Sequence, residues 1–359
     1  MKPARAALLA FVLLAAASAQ SANHYDKVKV ADGVYAFIAP EGKTGFVSSN
    51  QTAIIGDDGV LIFDTGQIPS LSEKIIAELK QITPLPVKYI VISHWHYDHV
   101  IGAATYLKAF PNAIIITSDP TRQQIIAKEK DFGPQNTLKI LPQYLKSQQD
   151  LLAGGKQPDG TPLTPEQKEY LQLSIADIEA AKPAIEAAKI VDPMMTMSQS
   201  LTIYLGKRTV EVRFLGPGNT EGDTIAYVPD AKVLLTGDLD VAPTPYGILS
   251  YYDEWIVTLD KLAAIDATTI IPGHGAIQKD FSYVRLEQEL LRSTLSRVDD
   301  AVKRGLTLEQ TRREVTLDDF RDRFAGNDHW RKRNFRNYWV YPAVERIYKL
   351  KKGESTAQK

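Results

Sequence analysis

An α/β layered domain carrying a helical insertion and a helical C-terminal extension is what this sequence of 359 residues predicts. Three observations carry that expectation. Strand-length apolar runs alternate with helical stretches up to Thr117, and strands return between Leu201 and Ile271. Between them, from about Asp119 to Asp192, strand signals vanish and polar helix formers dominate. Beyond Phe281 the pattern is helical almost to the end.

The elements follow in order. Val34 to Ile38 reads as a strand, and Gln51–Ile55 and Val60–Phe63 flank the turn signal Gly56-Asp57-Asp58-Gly59. Ser70 with Glu73 suggests a capping box opening a helix through about Ile82. Val87 to Ile92 is an apolar strand, Gly102 to Phe110 a helix, and Ala113 to Thr117 a buried strand. In the insertion, Thr164-Pro165-Glu166-Gln167 is a helix start. Leu201–Leu205, Thr209–Leu215, Thr224–Val228 and Val233–Leu235 read as strands, then a helix from Tyr251 to Ile265 and a strand from Thr268 to Ile271. Thr307 and Thr316 are expected helix caps near the end. The resulting division is 1–19, 20–118 for the first half of the core, 119–200 for the insertion, 201–280 for the second half and 281–359 for the extension. No internal repeat or low-complexity linker interrupts it.

Composition narrows the function classes. With 44% hydrophobic and 24% charged residues the chain can bury a sizeable core. A formal net charge of −1 gives no reason to expect a nucleic-acid partner. The basic and aromatic stretch Trp330 to Arg336 is read as a solvated amphipathic helix. Lys2 and Arg5 precede the apolar run Ala6 to Ala17, and Ala17-Ser18-Ala19 offers a cleavage site before Gln20. This predicts a signal peptide and a periplasmic or secreted protein, with no membrane association after cleavage. The apolar run falls short of the roughly 20 residues a spanning helix needs. Cysteine is absent, so disulfides and thiolate ligands are excluded, and any metal must be held by nitrogen and oxygen.

The strongest local signal is His94-Trp95-His96-Tyr97-Asp98-His99, directly after a strand. Imidazole and carboxylate at this density are ligands for a borderline cation such as Zn²⁺. Alternate residues of an extended tip point the same way, so His94 and His96 can share one metal. Asp98 and His99 lie beyond the bend and can reach a second. Two metals a few ångströms apart can hold a hydroxide and polarise a carbonyl or phosphoryl oxygen. Trp95, Tyr97, Tyr246 and Tyr251 are in or near these loops and are candidate pocket residues. Met194, Met195 and Met197 are expected to pack the insertion onto the core, with a substrate-lining role as the alternative.

These motifs resemble the metallo-β-lactamase superfamily, whose pattern after a strand is His-x-His-x-Asp-His. Asp64-Thr65-Gly66, Thr236-Gly237-Asp238 and Pro272-Gly273-His274-Gly275 match further family motifs in order. The resemblance spans Gln51 to Gly275 and implies an αββα sandwich. It implies that His94 and His96 bind a first metal, that Asp98, His99 and His274 bind a second, and that Asp238 lies between. It also implies a supporting role for Asp64, and Asp98 is the expected proton shuttle. One position departs from the pattern. Gly216-Pro217-Gly218-Asn219-Thr220-Glu221-Gly222-Asp223 carries Asn219 where relatives carry the first metal's third histidine. An amide oxygen is a weaker zinc ligand than imidazole, so one or two zinc ions per chain are both expected.

The function expected is therefore an exported zinc hydrolase using metal-bound hydroxide to cleave an ester, lactone, thioester or amide bond, a β-lactam among them. Its partner is a small molecule. A mononuclear iron redox enzyme of the same fold and a non-catalytic metal-binding protein are the alternatives weighed. Fold alone selects no substrate, and oligomeric state is not legible.

Overall fold

Two sheets pack face to face because their strands are apolar on the shared side. A computed structural model describes residues 24–44 and 48–354, so the expected signal segment lies outside the described residues. The first sheet has the order β1 (Asp26–Ala31), β2 (Val34–Ile38), β3 (Gln51–Ile55), β4 (Val60–Phe63), β5 (Val87–Val91), β6 (Ile114–Ser118) and β7 (Met195–Met197). The second has β12 (Thr269–His274), β11 (Val233–Val241), β10 (Thr224–Val228), β9 (Arg208–Phe214) and β8 (Ser200–Leu205). Ile54, Leu61, Phe63, Val91 and Ile116 of one sheet meet Leu205, Val212, Ala226, Leu235 and Ile271 of the other in a buried layer. Burial of this kind contributes about 25 cal/mol per Å² of apolar surface, so the interlayer core stabilises the packing of the two sheets.

Helices cover both outer faces. On the first sheet lie α1 (Pro69–Ile82), the single turn α2 (Tyr97–Val100), α3 (Ala103–Ala109) and α4 (Asp119–Phe132). The insertion continues through α5 (Pro134–Gly154) and α6 (Pro165–Ala187). On the second sheet lie α7 (Tyr252–Ala263), α8 (Ser282–Lys303), α9 (Leu308–Glu314), α10 (Asp318–Ala325) and α11 (His329–Asn334). A π-helical turn (Phe335–Val340) leads into α12 (Tyr341–Lys351). The layering is helix, sheet, sheet, helix. No helix among the described residues is long and apolar enough to cross a membrane.

Three local expectations need correction. Helix α1 starts at Pro69, with Ile68 as N-cap and no side-chain cap, so Ser70 and Glu73 sit inside the first turn. Proline's fixed φ suits N1 and moves the start forward. Thr316 is not a cap, since Leu317 in the left-handed region precedes α10. The end of the insertion is not strandless either. Met195–Met197 pairs parallel with β6, placing Met197 in the core and leaving Met194 and Met195 exposed. The boxes at Thr164 with Gln167 and Thr307 with Gln310 both form.

The C-terminal helices hold two loops of the site, one from each half of the core. Arg331 pairs with Glu41, and Asn334 donates to the Gly42 carbonyl. Gly247 N–H donates to the Tyr338 carbonyl, and Trp339 packs on Trp255 and Tyr252. These contacts fix both rims of the cavity described next.

Candidate metal centre

The site lies at the carboxyl ends of the parallel strands of both sheets, the usual crevice of an α/β architecture. After β4 comes Asp64, after β5 come Ser93 and His94, and Asp238 and His274 ride on β11 and β12. Strand β11 runs on to Val241, so Asp238 is a strand residue rather than a turn aspartate. Beside it, Gly273 leaves no room for a side chain, since a Cβ there would lie 2.0 Å from Asp238 Oδ1.

Five of the predicted ligands converge closely. His99 Nε2 lies 3.2 Å from Asp238 Oδ1 and 3.5 Å from Asp98 Oδ2. His274 Nε2 lies 3.0 Å from Asp98 Oδ2 and 3.6 Å from Asp238 Oδ1. His94 Nε2 lies 3.5 Å from Asp238 Oδ2, and 2.8 Å from His96 Nδ1. Two overlapping groups have the spacing of a metal site: His94, His99 and Asp238, and Asp98, His99 and His274. His96 joins them only through its contact with His94. Asn219 lies outside both groups, donating its amide to the Tyr246 carbonyl at 2.8 Å, with its buried Oδ1 unpartnered among the described residues.

Asp64 organises the histidines from behind. Its Oδ1 accepts Ser93 N–H at 2.8 Å, and its Oδ2 accepts from Ser93 Oγ at 2.8 Å and faces His99 Nδ1 at 2.7 Å. A carboxylate only accepts, so the single Ser93 hydroxyl proton goes to Asp64. Ser93 Oγ must then accept from His94 Nδ1, 2.9 Å away. Both His94 and His99 are thereby protonated at Nδ1, leaving Nε2 lone pairs facing inward. Asp64 does this with a left-handed φ of 58°, a strained conformation for a non-glycine residue. Sequence reasoning missed Ser93. Its only signal is a hydroxyl between the strand and the first histidine.

The electrostatics match a cation site. Burial, reinforced by the other histidines, lowers the pKa of His94 well below the usual imidazole range. Burial brings His96 down to about 4 against the opposing pull of Asp98 and Asp238. For His99 and His274 burial is outweighed by Asp238 and its neighbouring carboxylates, which raise them. Burial of Asp98 and Asp238 is outweighed by His99 and His274, which lower both. Buried His99 Nε2 and Asp238 Oδ1 have no hydrogen-bond partner among the described residues. Leaving such groups bare is costly, and a cation among them satisfies all of the donors at once. The residues fit a metal.

A cavity of about 360 Å³ opens above Asp98, Asp238 and His274. Trp95, Tyr97 and Tyr246 line it, and Phe132 and Tyr338, which the sequence did not single out, add to its aromatic wall. Tyr251 lines a second, adjoining cavity with Asn219. The three methionines line neither.

A family model described as metallo-beta-lactamase superfamily matches residues 44–274. A linear primary-alkylsulfatase from Pseudomonas sp. (strain ATCC 19151) is 25% identical over 280 residues, covering 72% of this chain and 48% of the relative. The chain thus spans about half the length of the curated relative it matches. Among solved structures, the stereoselective inverting sec-alkylsulfatase Pisa1 from Pseudomonas sp. aligns over 93% of this chain and 51% of its own, with TM-score 0.64 and 16% identity. A metallo-beta-lactamase from Pontibacter korlensis covers 75% of this chain and 99% of its own, with TM-score 0.51 and 18% identity. At such identities the structural matches speak to fold alone. With the family model covering well over half of the sequence, the chain belongs to the metallo-beta-lactamase superfamily.

Proposed function

We propose that the protein is an exported zinc-dependent hydrolase that cleaves an ester-type bond in a small molecule with an apolar part. The carrying observation is the pair of orphaned buried atoms, His99 Nε2 and Asp238 Oδ1, beneath a cavity with an aromatic wall. His94, His96, Asp98, His99, Asp238 and His274 are the residues that would hold one or two zinc ions. Zinc at such a site supplies an activated water and polarises the oxygen of the scissile group.

The chain's own residues do the rest. Asp98 reaches the cavity and touches His274, so it can carry a proton to the leaving group. Phe132, Trp95, Tyr246 and Tyr338 exclude water and take up an apolar group. Ester, lactone, thioester and amide bonds remain the classes considered, and the relative named as an alkylsulfatase adds a sulfate ester. Export is supported by Lys2, Arg5 and the apolar run ending at Ala17-Ser18-Ala19.

The test expresses the whole gene, sequences the N-terminus of the protein recovered outside the cytoplasm, and counts metal by elemental analysis. Start at Gln20, one or two zincs per chain and chelator-sensitive turnover of an ester panel are expected. A protein that binds no zinc would overturn the mechanism, and an intact Met1 would overturn export.

A further inference from the structure

Helix α4 carries a lysine that the hydrolytic reading leaves unused. Lys128 is the only buried lysine or arginine among the described residues. It makes no ion pair or hydrogen bond among them. Its ammonium stands 5.0 Å from the Trp95 ring centroid and 5.5 Å from that of Phe132. Burial lowers its pKa, with Asp131 opposing and Arg346 reinforcing the effect. A charge withdrawn from water and given only ring faces is poorly compensated, and an apolar residue of the same length would fit more cheaply.

The placement says what would compensate it. Lys128 lines the second cavity, of about 320 Å³, which shares Trp95, His96, Phe132, Ile248 and Leu249 with the first. Arg346 also lines it, with its guanidinium 5.9 Å from the Tyr251 ring and Nε donating to the Ser250 carbonyl. Two carboxylates are on the same wall: Asp131, and Glu221, which accepts from Gln124 at 3.0 Å. Trp95 touches both regions, its centroid 4.5 Å from that of His96 and 5.0 Å from the Lys128 ammonium.

We propose that Lys128, with Arg346 in the same cavity, forms an anion subsite for a carboxylate, sulfonate or sulfate group of the substrate remote from the scissile bond. The reacting group belongs at Asp98, Asp238 and His274. The anion bound at Lys128 is a second group, one aromatic ring away. This rests on the reading of the first cavity as the reaction site.

The test compares nitrophenyl esters of equal length ending in a carboxylate, a sulfonate or a methyl ester, on metal-replete enzyme. In Lys128→Met, which keeps the stem and removes the ammonium, the kcat/KM preference for the anionic esters falls about tenfold or more, as expected for a charged hydrogen bond. The loss is carried by KM, since a remote group is bound equally in ground and transition states. Lys128→Arg keeps the preference, and which anionic ester it favours distinguishes carboxylate from sulfonate. Melting temperature stays level or rises in Lys128→Met, because a poorly compensated charge has gone; a merely structural lysine would lower it and leave the preference intact.

No preference in the wild type, or a preference that survives Lys128→Met, overturns the subsite. If none of the esters is hydrolysed, the hydrolase reading fails and the subsite is tested by titrating glutarate against tryptophan fluorescence. A saturable change lost in Lys128→Met supports it, and equal titrations overturn it. Lys128→Gln replaces the methionine variant if that fails to fold.

Discussion

Replacing Asp64 by asparagine changes one atom and disables two histidines. In one amide orientation the oxygen still accepts from Ser93 Oγ and His99 Nδ1, but the NH₂ then faces Ser93 N–H, which had been donating at 2.8 Å. Two buried donors in opposition leave at least one unsatisfied, at about 1–3 kcal/mol. In the other orientation Ser93 N–H is satisfied, and the NH₂ points at Ser93 Oγ and His99 Nδ1. The serine proton then turns to His94 Nδ1, 2.9 Å away, and both imidazoles are driven to carry their protons on Nε2. Nε2 is the atom each ring aims at Asp238, so the second orientation takes both lone pairs from the metal, while the first disturbs the site through the unsatisfied donor beside His94. Zinc affinity of Asp64→Asn, read by competition with a chromophoric chelator, should fall about 10–100-fold. Ser93→Ala in the same assay should lose less, since it disturbs His94 and leaves the Asp64–His99 contact. An Asp64→Asn protein with unchanged zinc affinity would refute the tautomer argument.

Gly273→Ala puts a methyl 2.0 Å from Asp238 Oδ1 and 2.8 Å from the Gly237 carbonyl carbon. Strand backbone cannot yield, so stability should drop by about 1–3 kcal/mol in urea titration, with loss of bound metal. Asp223, buried, has its pKa raised to about 7 against the bonds from Thr220. A carboxyl raised on folding opposes the fold as pH climbs from its unfolded value towards 7. Asp223→Asn keeps partners for Thr220, so its melting temperature relative to wild type should increase between about pH 4 and 7 and then level off. Trp339→Ala empties a buried site against Trp255, Tyr252 and Gly247, and should cost about 3–5 kcal/mol by denaturant unfolding.

The layered core was legible because its signals are local. Val60–Phe63 and the largely apolar Val87–Val91 are of strand length, and they pair in parallel in the first sheet. Of the seven candidate ligands, His94, Asp98, His99, Asp238 and His274 come together, and each was legible in a short motif, at or after a strand end except Asp238, which lies within β11. What escaped is long-range. Nothing near Ser93 says that its hydroxyl links Asp64 to His94, and nothing near residue 195 says that three exposed-to-buried residues will extend β6. The start of α1 was misplaced for a smaller reason: a proline at N1 and a serine cap compete for the same turn, and the proline won.

The same division separates chemistry from selectivity. Metal-site residues come from strand ends whose positions are fixed by the two sheets, so their geometry depends on the most buried part of the fold. The cavity walls come from elsewhere: Phe132 and Lys128 from the helix that begins the insertion, Tyr338 from the π-helical turn, and Glu41 and Gly42 from a loop tied down by Arg331 and Asn334. These wall residues lie outside the strands, on segments anchored in the core by neighbours such as Ile125, Phe335 and Trp339. Substrate choice can therefore drift while the metal site stays constant. For this chain the walls set a buried ammonium against the rings of Trp95 and Phe132, with Trp95 from the histidine-rich loop and Lys128 and Phe132 from the insertion's first helix.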